Sequence, residues 1–125
     1  MKICILCYRS NPYSGGQGIY LKYLSEELLR QGHEVYAVVG PPYYNDFKAT
    51  RVVPISNNEY YVKKKLRIIN NKSPFDILNP LNFYEYLSSR IGVFPEIATF
   101  GFRAFNAVKK LHREVGLDII HDNQS

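Results

Sequence analysis

Short apolar runs and longer segments with helical spacing follow one another along this chain. Short runs bounded by polar residues predict strands, whereas apolar residues recurring every three or four positions predict helices. The run at 2–7 is almost entirely apolar, which is typical of a strand covered on both faces of a parallel sheet. The pattern predicts strands at 2–7, 34–39, 51–55 and 117–121, and helices at 19–31, 81–89 and 95–115.

The order of these elements predicts the fold class. A strand–helix–strand unit is followed by a third strand, two helices and a last strand, which indicates an α/β protein with right-handed crossovers. We expect a Rossmann-like open parallel sheet with helices on both faces. Gly32 and Gly116 are expected to cap the first and last helices. The polar, basic segment 57–73 is expected to be a loop with a helical turn or two.

Two of the predicted helices carry apolar stripes that should face the sheet. In the first helix, Tyr20, Leu24 and Leu28 fall on one face, with Tyr23 beside them. The stripe of the last helix consists of Ile97, Phe100, Ala104, Ala107, Val108 and Leu111.

A glycine-rich loop stands directly before the first predicted helix. Its central residues are Gly15, Gly16, Gln17 and Gly18. Glycines there permit a positive φ and let backbone N–H groups approach a ligand, and the helix dipole adds partial positive charge. The loop therefore suits a phosphate or another anion, and a plain strand-to-helix turn is the alternative.

Two known phosphate-binding motifs do not fit this loop. No Gly-Lys-Ser/Thr follows it, which excludes a Walker A motif. Leu21 takes the third glycine position of the dinucleotide fingerprint, and the second strand runs into Gly40 without an acidic residue at its tip. A nicotinamide cofactor is therefore not expected.

Further polar and aromatic residues follow two of the predicted strands. Ligands of open parallel sheets bind at the carboxyl ends of the strands, so these residues are site candidates, with plain turn residues as the alternative. A phosphate bound by residues of both the glycine loop and the last strand would lie at the joint tip of the first and last strands. The candidates are Tyr43 and Tyr44 after the second strand, and His121, Asp122, Asn123 and Gln124 at the last.

The two cysteines, Cys4 and Cys7, have a spacing that is found in redox and metal motifs. Both fall in the first strand, where residues three positions apart face opposite sides of the sheet. They should neither pair nor share a metal, and we expect two buried small hydrophobic residues.

Composition and charge narrow the function class. The chain is 46% hydrophobic and 22% charged, which is typical of a globular domain. Its first apolar run is too short to resemble a signal peptide, so a cytoplasmic location is expected. The net charge is +5, and Lys63, Lys64, Lys65, Arg67 and Lys72 form a basic cluster. This cluster fits a solvated face or a membrane-surface patch. Nucleic-acid binding is not expected, because the aromatic residues do not follow an RNA-recognition pattern.

Three groups of residues occur in a characteristic order and spacing. The first is the opening strand 2–6 followed by the loop 15–18 and its helix. The second is the helix-to-strand segment 24–35, and the third is the segment 116–121, in which an aspartate and a histidine flank two isoleucines. Together they resemble the N-terminal part of a family 4 glycosyltransferase of the GT-B type. The resemblance covers residues 1–40 and the last ten residues.

This resemblance implies an enzyme with two Rossmann-like domains facing each other across a cleft. The N-terminal domain mainly binds the acceptor, and the C-terminal domain binds most of a nucleotide-sugar donor, UDP- or GDP-linked. Glycosyl transfer proceeds with retention and without a metal, and no permanently bound cofactor is implied. Residues 1–125 would be one acceptor-side domain, truncated from a longer enzyme and inactive alone.

The resemblance also implies roles for individual residues. The loop 15–18 would approach the donor diphosphate or an acceptor phosphate. His121 matches the first histidine of the family's His-x-His signature and Asn123 takes the place of the second, and these are the catalytic candidates. Asparagine cannot exchange a proton as imidazole does, which favours positioning and polar stabilisation. The acceptor-binding candidates are Tyr20, Tyr43, Tyr44, Asp122 and Gln124.

The expected partners are a nucleotide-sugar donor and a sugar or lipid-linked acceptor. A lipid-linked acceptor would agree with peripheral contact at the inner face of a membrane. The rival interpretation is a free-standing Rossmann-like module that binds a phosphorylated small molecule or a protein partner, because one architecture serves many functions.

Overall fold

The fold is an all-parallel sheet with helices on both faces. A computed structural model describes residues 1–11, 13, 16–43, 47–56, 79–91 and 96–123. These residues form β1 (Lys2–Cys7), α1 (Gly16–Arg30), β2 (Glu34–Val39), β3 (Arg51–Pro54), α2 (Pro80–Ile91), α3 (Glu96–Val115) and β4 (Ile119–Asp122). Over the described part of the chain the strand order is β3-β2-β1-β4, and neighbouring strands are parallel. The predicted Rossmann-like α/β class is confirmed.

The element boundaries agree with the sequence pattern, with one difference that matters. α1 begins at Gly16, three residues before the predicted start. Gly16, Gln17 and Gly18 therefore belong to the first helical turn and do not form a loop in front of it. The segment expected as a loop with helical turns, 57–73, lies outside the described residues, as does the basic cluster within it.

Each face of the sheet has its own apolar core. One core contains Ile3, Ile5 and Cys7 of β1 and Leu21 of α1, while Cys4 belongs to the other core, which packs against α3. Alternation along β1 thus sends successive side chains to opposite faces. Cys4 and Cys7 are both buried free thiols on opposite sides of the sheet, as predicted.

The predicted stripe of α1 was partly wrong. Tyr20 and Tyr23 are 45% and 65% exposed, whereas the buried positions are Gly18, Leu21 and Ser25. Two of these buried residues are small, so the helix can approach the sheet closely. The sequence pattern could not indicate this buried face, because glycine and serine do not count among the apolar residues of a helical stripe. The predicted neighbours Leu24 and Leu28 do pack against this core.

The predicted stripe of α3 is largely confirmed. Phe100, Ala104, Val108 and Leu111 are buried and Ala107 packs beside them. Ile97 is the exception, with 57% of its surface exposed in the first turn of the helix.

Both predicted glycine caps are confirmed. Gly32 has φ +85°, its N–H donates to the Leu29 carbonyl, and the His33 N–H donates to the Leu28 carbonyl, each at 3.0 Å. This pair of bonds is a Schellman motif, which satisfies the last carbonyls of α1. Gly116, with φ +69°, ends α3 with a single N–H bond to the His112 carbonyl.

The amino ends of β1 and β4 are fastened together by one pair of residues. The Lys2 N–H donates to the Asp118 carboxylate at 2.7 Å, and the Asp118 N–H donates to the Lys2 carbonyl at 2.9 Å. The Lys2 ammonium also donates to the Val115 carbonyl at the end of α3. These bonds hold the register in which Ile5 lies opposite His121 and Leu6 opposite Asp122.

The residue after β2 has room only for a hydrogen atom as its side chain. A Cβ at Gly40 would overlap the Tyr8 carbonyl oxygen and would lie 3.1 Å from a Phe100 ring carbon. The Ser10 hydroxyl, fully buried, donates to the Gly40 carbonyl across the same gap. The loops after β1 and β2 are thereby packed directly onto each other.

We predict that Gly40→Ala lowers the free energy of unfolding by about 1–3 kcal/mol, because the added methyl group must push backbone apart. Urea unfolding followed by circular dichroism measures the change. The matched control is Gly101→Ala on α3, where nothing lies within 4 Å of the added atom. This control should gain up to about 1 kcal/mol from helix propensity. Equal stability of the two variants would contradict the close approach at Gly40.

Candidate functional site

The candidate site lies where the direction of the sheet reverses. From β1 the chain adds β2 and β3 on one side, and β4 then pairs on the other side of β1. Open parallel sheets bind ligands in the crevice at such a switch point, at the carboxyl ends of the strands. We refer to the region bordered by the ends of β1 and β4 and the first turn of α1 as the crevice.

Tyr20 and His121 meet at this crevice. The Tyr20 hydroxyl oxygen lies 3.4 Å from His121 Nε2, and the two ring centroids are 5.9 Å apart with a tilt of 33°. Which atom donates depends on the imidazole tautomer. The tyrosine is exposed and the histidine is half-buried, so the pair offers a ring face, a hydroxyl and an imidazole to a ligand.

Asn123 connects three elements behind this pair. Its backbone N–H donates to the Leu6 carbonyl of β1 at 3.1 Å. Its side-chain Nδ2 donates to the Gln17 carbonyl in the first turn of α1 at 3.2 Å. The tip of β4 is therefore tied both to the sheet and to the helix.

Cys7 lies beneath the same contact, and its polar role was missed by the sequence interpretation as a plain hydrophobic residue. Its thiol donates to the Arg9 carbonyl at 3.1 Å and reaches the Gln17 carbonyl at 3.9 Å. Burial raises the pKa of the Cys7 thiol, while hydrogen bonds with the Arg9 backbone and the Asn123 side chain act in the opposite direction. Its place at the very end of β1 was the signal that could have indicated this role.

The first turn of α1 differs in one respect from the glycine loop that the sequence predicts. Of the described glycines, only Gly32 and Gly116 have a positive φ, so Gly16 and Gly18 do not serve a left-handed turn. Gly18 is buried, and space is open where a Cβ on Gly16 would stand. The first turn carries no acidic residue that would repel an anion.

Arg9 adds positive charge near this edge of the sheet and was not identified from the sequence. It is exposed just after β1, and its guanidinium carbon lies 5.6 Å from the Tyr8 ring centroid. An arginine held over an aromatic ring keeps its donors available to an anion.

The other predicted site residues are less central or lie outside the described residues. The Tyr43 hydroxyl donates to the Ile55 carbonyl at 2.8 Å, which anchors the ring near the end of β3. β3 and β4 are opposite edges of the sheet, about 14 Å apart over three strand spacings. Asp122 is exposed on β4. Gly15, Tyr44 and Gln124 lie outside the described residues.

Two further features of the described residues concern the requirements for a metal site and for a membrane-spanning helix. No three His, Cys, Asp or Glu side chains among them come together as they would around a metal ion. None of the described helices has the length and apolar character that a membrane crossing requires.

Comparison with known proteins gives one informative similarity. The chain is 33% identical over 126 residues to the MMP alpha-(1->4)-mannosyltransferase of Mycolicibacterium hassiacum. The aligned region is 99% of this chain and 29% of that relative, so the chain spans less than a third of the curated relative it matches. No family model matches the chain. The chain is thus similar, over nearly its whole length, to one part of a glycosyltransferase.

We predict that neither thiol reacts with Ellman's reagent at pH 8 while the chain is folded. Thiolates are the reactive species, both side chains are buried, and burial raises the pKa of the Cys4 thiol to about 11. Two equivalents should appear after unfolding in guanidinium chloride, when the pKa values return towards their ordinary range. Cys7→Ala, which leaves Cys4 alone, is the control, and fast reaction of that variant would contradict the burial of Cys4.

Proposed function

We propose that this chain is the N-terminal, acceptor-side domain of a retaining, nucleotide-sugar-dependent glycosyltransferase of the GT-B type, family 4. The similarity to a mannosyltransferase over 99% of the chain supports the class of enzyme. The three sequence segments that resemble family 4 enzymes support the finer assignment. The sheet order agrees with it, because a Rossmann-like half brings a glycine-rich helix start beside the last strand.

The observation that carries the proposal is the meeting of Tyr20 and His121 beside the first turn of α1. A sugar ring presents hydroxyl groups at its edge and C–H groups on its faces. The pair presents complementary groups, since an exposed aromatic ring can pack on a sugar face and the imidazole can bond a hydroxyl. An acceptor and part of a donor would share this crevice.

Residues at the crevice then take specific roles. The N–H groups around 16–18 bind the donor diphosphate or an acceptor phosphate, with Arg9 adding charge. His121 stabilises the reacting sugar by a polar contact, and Tyr20 positions the acceptor. The relative is a mannosyltransferase by name, so mannosyl donors come first among the candidates to be tested.

The proposal extends to the remaining partners. Most of the donor site would be supplied by chain outside these 125 residues, which makes this domain inactive alone. The acceptor would be a sugar or a lipid-linked sugar, the location cytoplasmic, and membrane contact peripheral. No permanently bound cofactor or metal is proposed.

We predict that an isotope-labelled sample of this chain binds UDP, GDP or inorganic pyrophosphate in an NMR titration. The amide shifts should concentrate at residues 16–20 and 121–123, since these border the crevice. His121→Ala should weaken binding by roughly tenfold, because the imidazole lies beside the first turn of α1 and can also donate a hydrogen bond to a phosphate oxygen there. Tyr43→Phe, which removes a hydroxyl at the opposite edge of the sheet, is the control and should bind as the parent does.

The outcome that counts against the proposal is an absence of shifts at millimolar concentrations of all three ligands. Shifts confined to the β3 edge would also refute the assigned crevice.

A further inference from the structure

Two contacts join α1 to β4 side by side. Tyr20 approaches His121, and the Asn123 amide donates to the Gln17 carbonyl. Gln17 and Tyr20 are three residues apart on a helix and so lie on neighbouring surface positions. His121 and Asn123 are two residues apart at the end of a strand, a spacing that places residues on the same face of a sheet. The two contacts therefore follow one seam.

The two contacts differ in how firmly they are held. The Tyr20–His121 contact joins an exposed tyrosine and a half-buried histidine at 3.4 Å, so water can compete for this long contact. Asn123 is fixed at its root by the bond from its N–H to Leu6, and its amide ends on a backbone carbonyl that cannot rotate away. The second contact is therefore the one able to set the distance between helix and strand.

The contact also depends on the chemistry of the asparagine. A carbonyl in the first turn of an α-helix accepts one bond from the residue four positions on, and a second lone pair remains. At Gln17 that lone pair faces the Asn123 amide, and the Cys7 thiol stands farther away at 3.9 Å. An aspartate has the same shape as asparagine, but its carboxylate would accept rather than donate and would repel the carbonyl.

We propose that Asn123 is a positioning residue, whose amide holds the first turn of α1 against the tip of β4 and thereby keeps the Tyr20 ring on His121. It acts through Gln17 and makes no direct contact with the sugar. This proposal rests on the proposed function only where it assigns the Tyr20–His121 pair to ligand binding. We call the hydrogen bond from the Asn123 amide to the Gln17 carbonyl the brace, and this bond is a property of the ligand-free chain.

The first test uses the ligand-free chain and NMR. In the parent chain, protons of the Tyr20 and His121 rings should show a nuclear Overhauser effect. Asn123→Ala and Asn123→Asp should both lose it, and amide shifts should change at 17–20. Amide shifts in β2 and β3 must stay unchanged, which shows that both variants fold. Asn82→Ala, which removes an amide contact to Arg103 between α2 and α3, is the matched control.

The two variants separate hydrogen bonding from packing. If the effect persists in Asn123→Asp and is lost only in Asn123→Ala, the shape of the side chain suffices and the proposal is overturned. If it persists in both, the brace does not exist. Loss in both variants with an unchanged Asn82→Ala control is the expected result.

The second test repeats the titration with UDP, GDP and pyrophosphate. Removing the brace should weaken ligand binding roughly fivefold, because the crevice is then no longer ordered by this hydrogen bond before the ligand binds. If the parent binds and the brace variants lose the ring contact but bind equally well, the assignment of the pair to ligand binding fails while the brace stands. If the parent itself does not bind, the proposed function fails, and the ligand-free result still decides the role of Asn123.

Discussion

The pairing of β4 with β1 is the constraint on which the rest of the structure depends. It is fastened at one end by the reciprocal bonds of Lys2 and Asp118 and at the other by the Asn123 N–H on the Leu6 carbonyl. Between these points the register places His121 opposite Ile5. A slip of one residue would turn His121 to the other face of the sheet and remove it from Tyr20. The chemistry of the crevice is therefore a consequence of strand register.

This dependence separates two roles within one short motif. Asp118 and His121 belong to the same aspartate–isoleucine–isoleucine–histidine segment, yet Asp118 lies just before β4 and His121 lies near its carboxyl end. The aspartate satisfies backbone N–H of β1, whereas the histidine faces the crevice. A loss of ligand binding after substitution of Asp118 would thus report a change of register and would not identify a ligand-binding carboxylate.

Much of the fold could be predicted because local physics determines it. Gly32 and Gly116 were identifiable as caps, since few other residues tolerate the left-handed backbone that each adopts. The burial of Gly18 and Ser25 could not be predicted from an apolar pattern. Small residues are buried there because they let the helix approach the sheet closely, and not because they are hydrophobic. Because Gly18, Leu21 and Ser25 form the buried face of α1, Tyr20 is exposed and its ring lies at the crevice.

The sequence predicted that the candidate segments would lie together, but it did not predict the contacts between them. The loop after β1 and the tip of β4 were expected at a joint edge, because the carboxyl ends of parallel strands share one edge. The bond from Asn123 to Gln17 links residues 106 positions apart and depends on which strands are neighbours. The position of Tyr43 could not be predicted either, because it depends on the strand order β3-β2-β1-β4, which places Tyr43 at the β3 edge, away from β4.

The pairing of β1 with β4 also has a consequence for the order of folding. β1 and β2 are joined through one helix, whereas the bond between Lys2 and Asp118 closes a loop of 116 residues. Loop-closure entropy makes this late pairing about 1 kcal/mol more costly than the early one, and distant contacts form more slowly. The β1–α1–β2 unit can therefore assemble before β4 arrives. The crevice is then completed only when β4 pairs with β1.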